Sequence, residues 1–129
     1  MSAMVKLSDA ILAGCALIPE GPEYFFTASH GMAWIGRPED GPVPACADAM
    51  GTALIARAGS WERLNARLAA KRLSVVDALE VCWPWLKDTA LQMCECPPRH
   101  DWMMALAHVQ DQHGWRREQV GEWLRSRGL

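Results

Sequence analysis

The chain lacks the signatures that would name a chemistry. It has no G-x-S-x-G nucleophile elbow, no glycine-rich phosphate cradle and no H-E-x-x-H metalloprotease pair. It has no block of like charges: 13 Lys and Arg face 15 Asp and Glu, a formal net charge of −2. That balance excludes a global positive field for nucleic acid and an acidic solvating tail. The first apolar run, Ala10 to Ile18, is too short to span a bilayer, and no basic stretch precedes it as in a secretory signal. Internal repeats and low-complexity segments are missing too. Aromatics are scarce apart from tryptophan, with one Tyr and two Phe against seven Trp. These absences lead to the expectation of a cytoplasmic, non-enzymatic protein without a membrane partner.

The 129 residues fit one domain, residues 1–129, long enough to bury a core without staples. The tryptophans are expected to anchor that core. Five cysteines are an odd number, which suits free thiols in a reducing compartment. Cys15 and Cys46, among small or apolar neighbours, read as small buried hydrophobes.

Helical spacing dominates. Leu7, Ile11 and Cys15 repeat every four residues, and Pro19, Gly21 and Pro22 stop that helix. Tyr24–Ala28 and Met32–Ile35 read as two short strands around a turn at Ser29, His30 and Gly31. A proline-rich loop from Arg37 to Pro44 follows. The stretch "ACADAMGTALIARAG", starting at Ala45, reads as the second helix and ends at Gly59. Ser60 caps a third helix with Leu64 and Leu68 inward and Arg63, Arg67, Lys71 and Arg72 toward water. Ser74 caps a fourth, which Pro84 should stop near Cys82. Asp101 caps a fifth, Gly114 closes it, and a sixth runs from Arg116. The expected fold class is mainly α: a compact helical domain with a small N-terminal β-hairpin at 24–35 and a C-terminal helical hairpin at about 101–127.

Three candidate sites follow. Cys94-x-Cys96 and His108-x₄-His113 supply the donor types of a Cys₂His₂ zinc site. The single residue between the cysteines is tighter than the usual two to four, and Pro97 and Pro98 remove two backbone donors beside them. On that mismatch the spacing assigns no metal and no cofactor. The last two helices also read as a helix-turn-helix in which Arg116, Arg117, Gln119 and Arg125 would meet nucleic acid, with Glu118 and Glu122 weakening the local field. A thiol–imidazole pair between Cys94 or Cys96 and His100 is the only catalytic arrangement to weigh; an orienting partner for it is not evident.

"LSDAILAGCALIPEG", "ACADAMGTALIARAG" and "HVQDQHGWRREQVGEWL" together resemble a family of small bacteriophage and prophage proteins. Members close on a motif near H-L-N-D-x-H-x-W-T-R-E-x-I-A-x-W, matched here by His108, Asp111, His113, Trp115, Arg117, Glu118, Val120 and Trp123. Many carry C-x-x-C ahead of it, where this chain has C-x-C. The resemblance implies a genomic context, with a bacterial host cell as compartment, and no activity. The motif itself reads as a folding unit, with Trp115 and Trp123 clamping the hairpin and Arg116 standing where the family has a capping Thr. The functional expectation is a phage-type accessory protein that binds a host or phage protein, an anti-defence inhibitor being one version. A DNA-binding regulator, with or without zinc, is the alternative.

Overall fold

The computed structural model describes residues 6–20, 26–28, 33–34, 44–88, 91–96 and 101–129. Among these the chain forms six α-helices and three short strands: α1 Leu7–Gly14, β1 Phe26–Ala28, β2 Ala33–Trp34, β3 Pro44–Ala47, α2 Ala49–Ala58, α3 Trp61–Lys71, α4 Val75–Cys82, α5 Trp102–Asp111 and α6 Arg117–Ser126. A 3₁₀ turn, Pro84–Asp88, follows α4. The fold is mainly helical, as the periodicity predicts.

Local caps decide where the helices start. Ser60 accepts the Arg63 N–H at 3.2 Å, Ser74 accepts Asp77 at 3.1 Å and Asp101 accepts Met104 at 2.8 Å. Each bond satisfies a donor that the first helical turn leaves free, which stabilises the start by about 1 kcal/mol. Pro84 ends α4 at Cys82, where expected.

The second helix starts later than the composition suggests. Residues 44–47 are strand, and α2 begins only at Ala49. Asp48 is extended and its carboxylate takes the Gly51 N–H at 2.9 Å, so the helix is capped there. Upstream, β3 pairs antiparallel with β1, giving a three-stranded sheet in the order β2-β1-β3. The Ala47 N–H is taken by the Pro19 carbonyl at 3.0 Å, so long-range backbone pairing overrides the helix propensity of this alanine-rich stretch. β1 and β2 pair antiparallel, Phe26 opposite Trp34, while the expected turn at Ser29, His30 and Gly31 lies outside the described residues.

The core gathers Leu7, Ile11, Met50, Leu54, Leu68, Leu79, Trp83, Trp102, Val120 and Leu124. Trp83 and Trp102 are almost fully enclosed, so tryptophan does anchor the core. The main partner of α6 is α1, not the preceding α5. Gly121 allows that approach: a Cβ there would lie 2.9 Å from Leu12 Cγ. Gly14 does the same between α1 and α2, where a Cβ would lie 2.5 Å from the Thr52 carbonyl oxygen. Residues 101–127 form the two successive helices expected there, α5 and α6, with α6 packed mainly on α1.

Candidate metal centre and the α6 anchor

His108 lies in the last turn of α5, with Val109 beside it packed into the core. The chain then leaves the helix. Gln112 and His113 return their N–H groups to His108 and Val109, and Gly114 takes a positive φ of 65°. That left-handed step suits glycine and lets the Trp115 N–H reach back to the Val109 carbonyl at 3.0 Å. The result swings His113 over the end of α5. Its Nε2 comes within 3.1 Å of His108 Nε2, with the two rings nearly perpendicular at 82°.

The segment Leu91–Cys96 lies across the same end. Gln92 holds it in a bend, its Nε2 donating to the Cys94 carbonyl at 2.6 Å and the Cys96 carbonyl at 2.9 Å. Cys96 Sγ then stands 3.4 Å from His113 Nε2, and one ligand atom from each of Cys94, Cys96, His108 and His113 lies within 4.8 Å of the other three. Tetrahedral zinc with usual bond lengths needs N···N edges of about 3.3 Å, S···N of about 3.6 Å and S···S of about 3.8 Å. The His108–His113 and Cys96–His113 separations match the first two to about 0.2 Å, while the set as a whole spans up to 4.8 Å and would draw in by about 1 Å around an ion.

The donor set also fits a cation on chemical grounds. Two imidazole nitrogens meeting edge to edge suit a shared cation, toward which both lone pairs can point. Two sulfurs and two imidazoles in a tetrahedron select zinc among common divalent ions. The one-residue gap that told against a metal matters less than spacing alone implies, because the Gln92 amide shapes the bend. Sequence reasoning passed over Gln92; a polar amide two residues before a Cys-x-Cys was the available signal. Pro97, Pro98 and His100 lie outside the described residues.

The nucleic-acid candidates have different surroundings. Arg117 is the correction: it is 4% exposed, enclosed rather than turned to a groove. Its guanidinium donates to Thr52 Oγ1 at 2.9 Å and to the Cys15 carbonyl at 3.2 Å, tying α6 to α2 and α1. Arg125 pairs with Asp9 at 3.2 Å, and Glu122 stands beside it. The Gln119 side-chain Oε1 accepts the Arg116 backbone N–H at 2.9 Å. The exposed Arg116 side chain faces Glu20 and Glu118. The four residues do not form one free basic face.

Glu20 supplies what the sequence has in place of a capping Thr. Its carboxylate takes the Arg117 N–H at 2.9 Å, a helix cap delivered from 97 residues away. Cys15 completes the cluster: its thiol donates to the Ile11 carbonyl at 3.2 Å and to Glu118 at 3.4 Å. Burial pushes the Cys15 thiol up, against the pull of Arg117. Burial also works to raise the Glu118 carboxyl, but the Cys15 hydrogen bond and the two arginines hold it below its ordinary value.

No known family model matches the chain. No curated protein and no solved structure matches it either. Among the described residues no helix is long and apolar enough to cross a membrane.

Proposed function

We propose that the chain is a non-catalytic protein-binding module whose C-terminal third is fastened by one structural zinc ion, held by Cys94, Cys96, His108 and His113. The convergence of those four ligand atoms carries the reading. Four protein donors fill a tetrahedron and leave no open position for a reacting water, which is the arrangement of a structural rather than a catalytic site. The ion would clip the Leu91–Cys96 bend to the end of α5. Sequence resemblance supports a phage or prophage accessory role, with a host or phage protein as partner and inhibition of a defence system as one form of it. Burial of Arg117 weighs against the DNA-binding alternative, because it takes away one of the four proposed contacts.

The test is metal analysis of protein purified without added metal and without an affinity tag that binds metal. We expect close to one zinc per chain in the wild type and loss of it in Cys96→Ser and His113→Ala. A stoichiometry near zero, in protein that also fails to take up zinc on titration, would overturn the structural site.

A further inference from the structure

A groove runs between α2, α3 and α4. Its floor is apolar, formed by Leu54, Ala58, Leu64, Leu68, Leu73 and Ala78, and its volume is about 200 Å³. Arg57, Arg67 and Lys71 stand around it, and among the described residues no acidic side chain lines it. Arg67 and Lys71 are exposed, and among the described residues none of the three cations has an ion-pair partner. Val81, which also lines the groove, is 59% exposed, one of the most solvent-exposed large hydrophobics in the fold. A positive rim on a chain of net charge −2 is a local choice, not a reflection of composition.

The dimensions restrict the occupant. Small-molecule sites usually enclose about 300–1,000 Å³, so this groove is small for a cofactor. It has room for an apolar anchor side chain, the kind of buried residue that dominates protein interfaces. Free cations around a desolvated floor complement carboxylates flanking such an anchor, and they steer an acidic partner toward the site. A nucleic acid would use the rim and leave the apolar floor uncovered. An amphipathic helix uses both, because residues three and four apart share one face.

We infer that the α2–α3–α4 groove docks an acidic amphipathic helix of a partner protein, inserting a large apolar side chain between Leu54, Leu68 and Ala78 while its carboxylates pair with Arg57, Arg67 and Lys71. The inference rests on the protein-binding reading above and names its surface.

The experiment is a titration of the ¹⁵N-labelled 129-residue chain, as purified, with synthetic peptides, read by amide shifts. The main probe is a 16-residue helical peptide with Leu and Trp on one face and Glu elsewhere. Controls are the same peptide with Lys for Glu, polyglutamate of equal length and a 20-base-pair DNA duplex. Expected shifts from the main probe cluster on α2, α3 and α4, weaken with salt, and fall at least about tenfold in affinity for the doubly exchanged R67E/K71E. Ala78→Trp, which fills the groove, should block binding; an unchanged unfolding midpoint for R67E/K71E shows that charge, not folding, is at issue. The inference is overturned by no shifts at millimolar peptide, by equal binding of polyglutamate, by preference for the lysine peptide or the duplex, or by indifference to R67E/K71E. A host-lysate partner recovered equally by wild type and R67E/K71E would overturn the groove while leaving the protein-binding reading standing.

Discussion

The guanidinium of Arg117 donates to the hydroxyl of Thr52 at 2.9 Å across 65 residues of sequence, inside a site only 4% exposed on the arginine side. An arginine that sequence alone places on a solvent-facing recognition helix is therefore a structural tie between α6, α2 and α1. Removing this side chain leaves the buried Thr52 hydroxyl and the Cys15 carbonyl without a donor, which costs about 1–3 kcal/mol. Arg117→Ala should approach that loss in urea unfolding, and Arg117→Lys should recover only part of it because an ammonium cannot span the same acceptors. Arg116→Ala, next in sequence and 73% exposed, should cost well under 1 kcal/mol. Equal effects of Arg116→Ala and Arg117→Ala would contradict the anchor.

Asp48 links a helix cap to pH. Burial raises its carboxyl to about 7, the Gly51 and Met50 N–H groups oppose that rise, and the Asp111 carboxylate adds to it. Between pH 4 and 7 the folded protein thus keeps a proton that the unfolded chain has released. Stability from this group is greatest below pH 4 and falls as pH rises, by up to about 1.4 kcal/mol per unit. Asp48→Asn keeps a good cap without the charge. The difference in unfolding free energy between variant and wild type should grow in the variant's favour from pH 4 to pH 8, and a difference constant with pH would refute the assignment.

Gln92 touches no metal, yet it fixes both cysteine carbonyls. Outer partners of this kind typically alter metal affinity by 10–100-fold. Gln92→Ala should weaken zinc binding by about that factor in competition with a chromophoric chelator, while leaving a stoichiometry of one at saturation. Cys96→Ser, in contrast, should lose the stoichiometry itself.

Chelation tests how far the ion supports the fold. The contacts of α1 with α2 and α6 lie away from the metal ligands. Treatment with a strong chelator should therefore lower the thermal midpoint and speed amide exchange in Leu91–Cys96 and around Gln112–Trp115, without abolishing helical circular dichroism. Complete unfolding on zinc removal would show that the core is weaker than its packing implies.

Gly14 and Gly121 separate two kinds of close approach. At Gly14 a Cβ meets backbone oxygen of Thr52, which cannot move aside without shifting α2. At Gly121 it meets the Leu12 side chain, which can. Gly14→Ala should cost roughly 2–3 kcal/mol and Gly121→Ala roughly 1 kcal/mol, measured by denaturant midpoint.

Much of the helical framework was legible in the sequence because it is set locally. Ser60, Ser74 and Asp101 cap helices through their own neighbours three residues on, and Pro84 stops α4 by lacking an N–H. Leu64 and Leu68 of α3 are buried while Arg63, Arg67 and Lys71 are exposed, as the helical spacing predicts. Arg117 and Glu118, close together in sequence with Arg116, meet Thr52, Cys15 and Glu20 only through the packing of α6 on α1 and α2. None of the local rules could place β3, whose pairing with β1 and Pro19 replaces an expected helical turn. Nor could they bring Glu20 to cap Arg117, or set Arg117 beside Thr52. The metal centre divides the two domains of cause most clearly. Sequence determined the four donors and an unfavourable spacing between the first two. Tertiary structure decided that a bend held by Gln92 and a left-handed step at Gly114 carry those donors to one point.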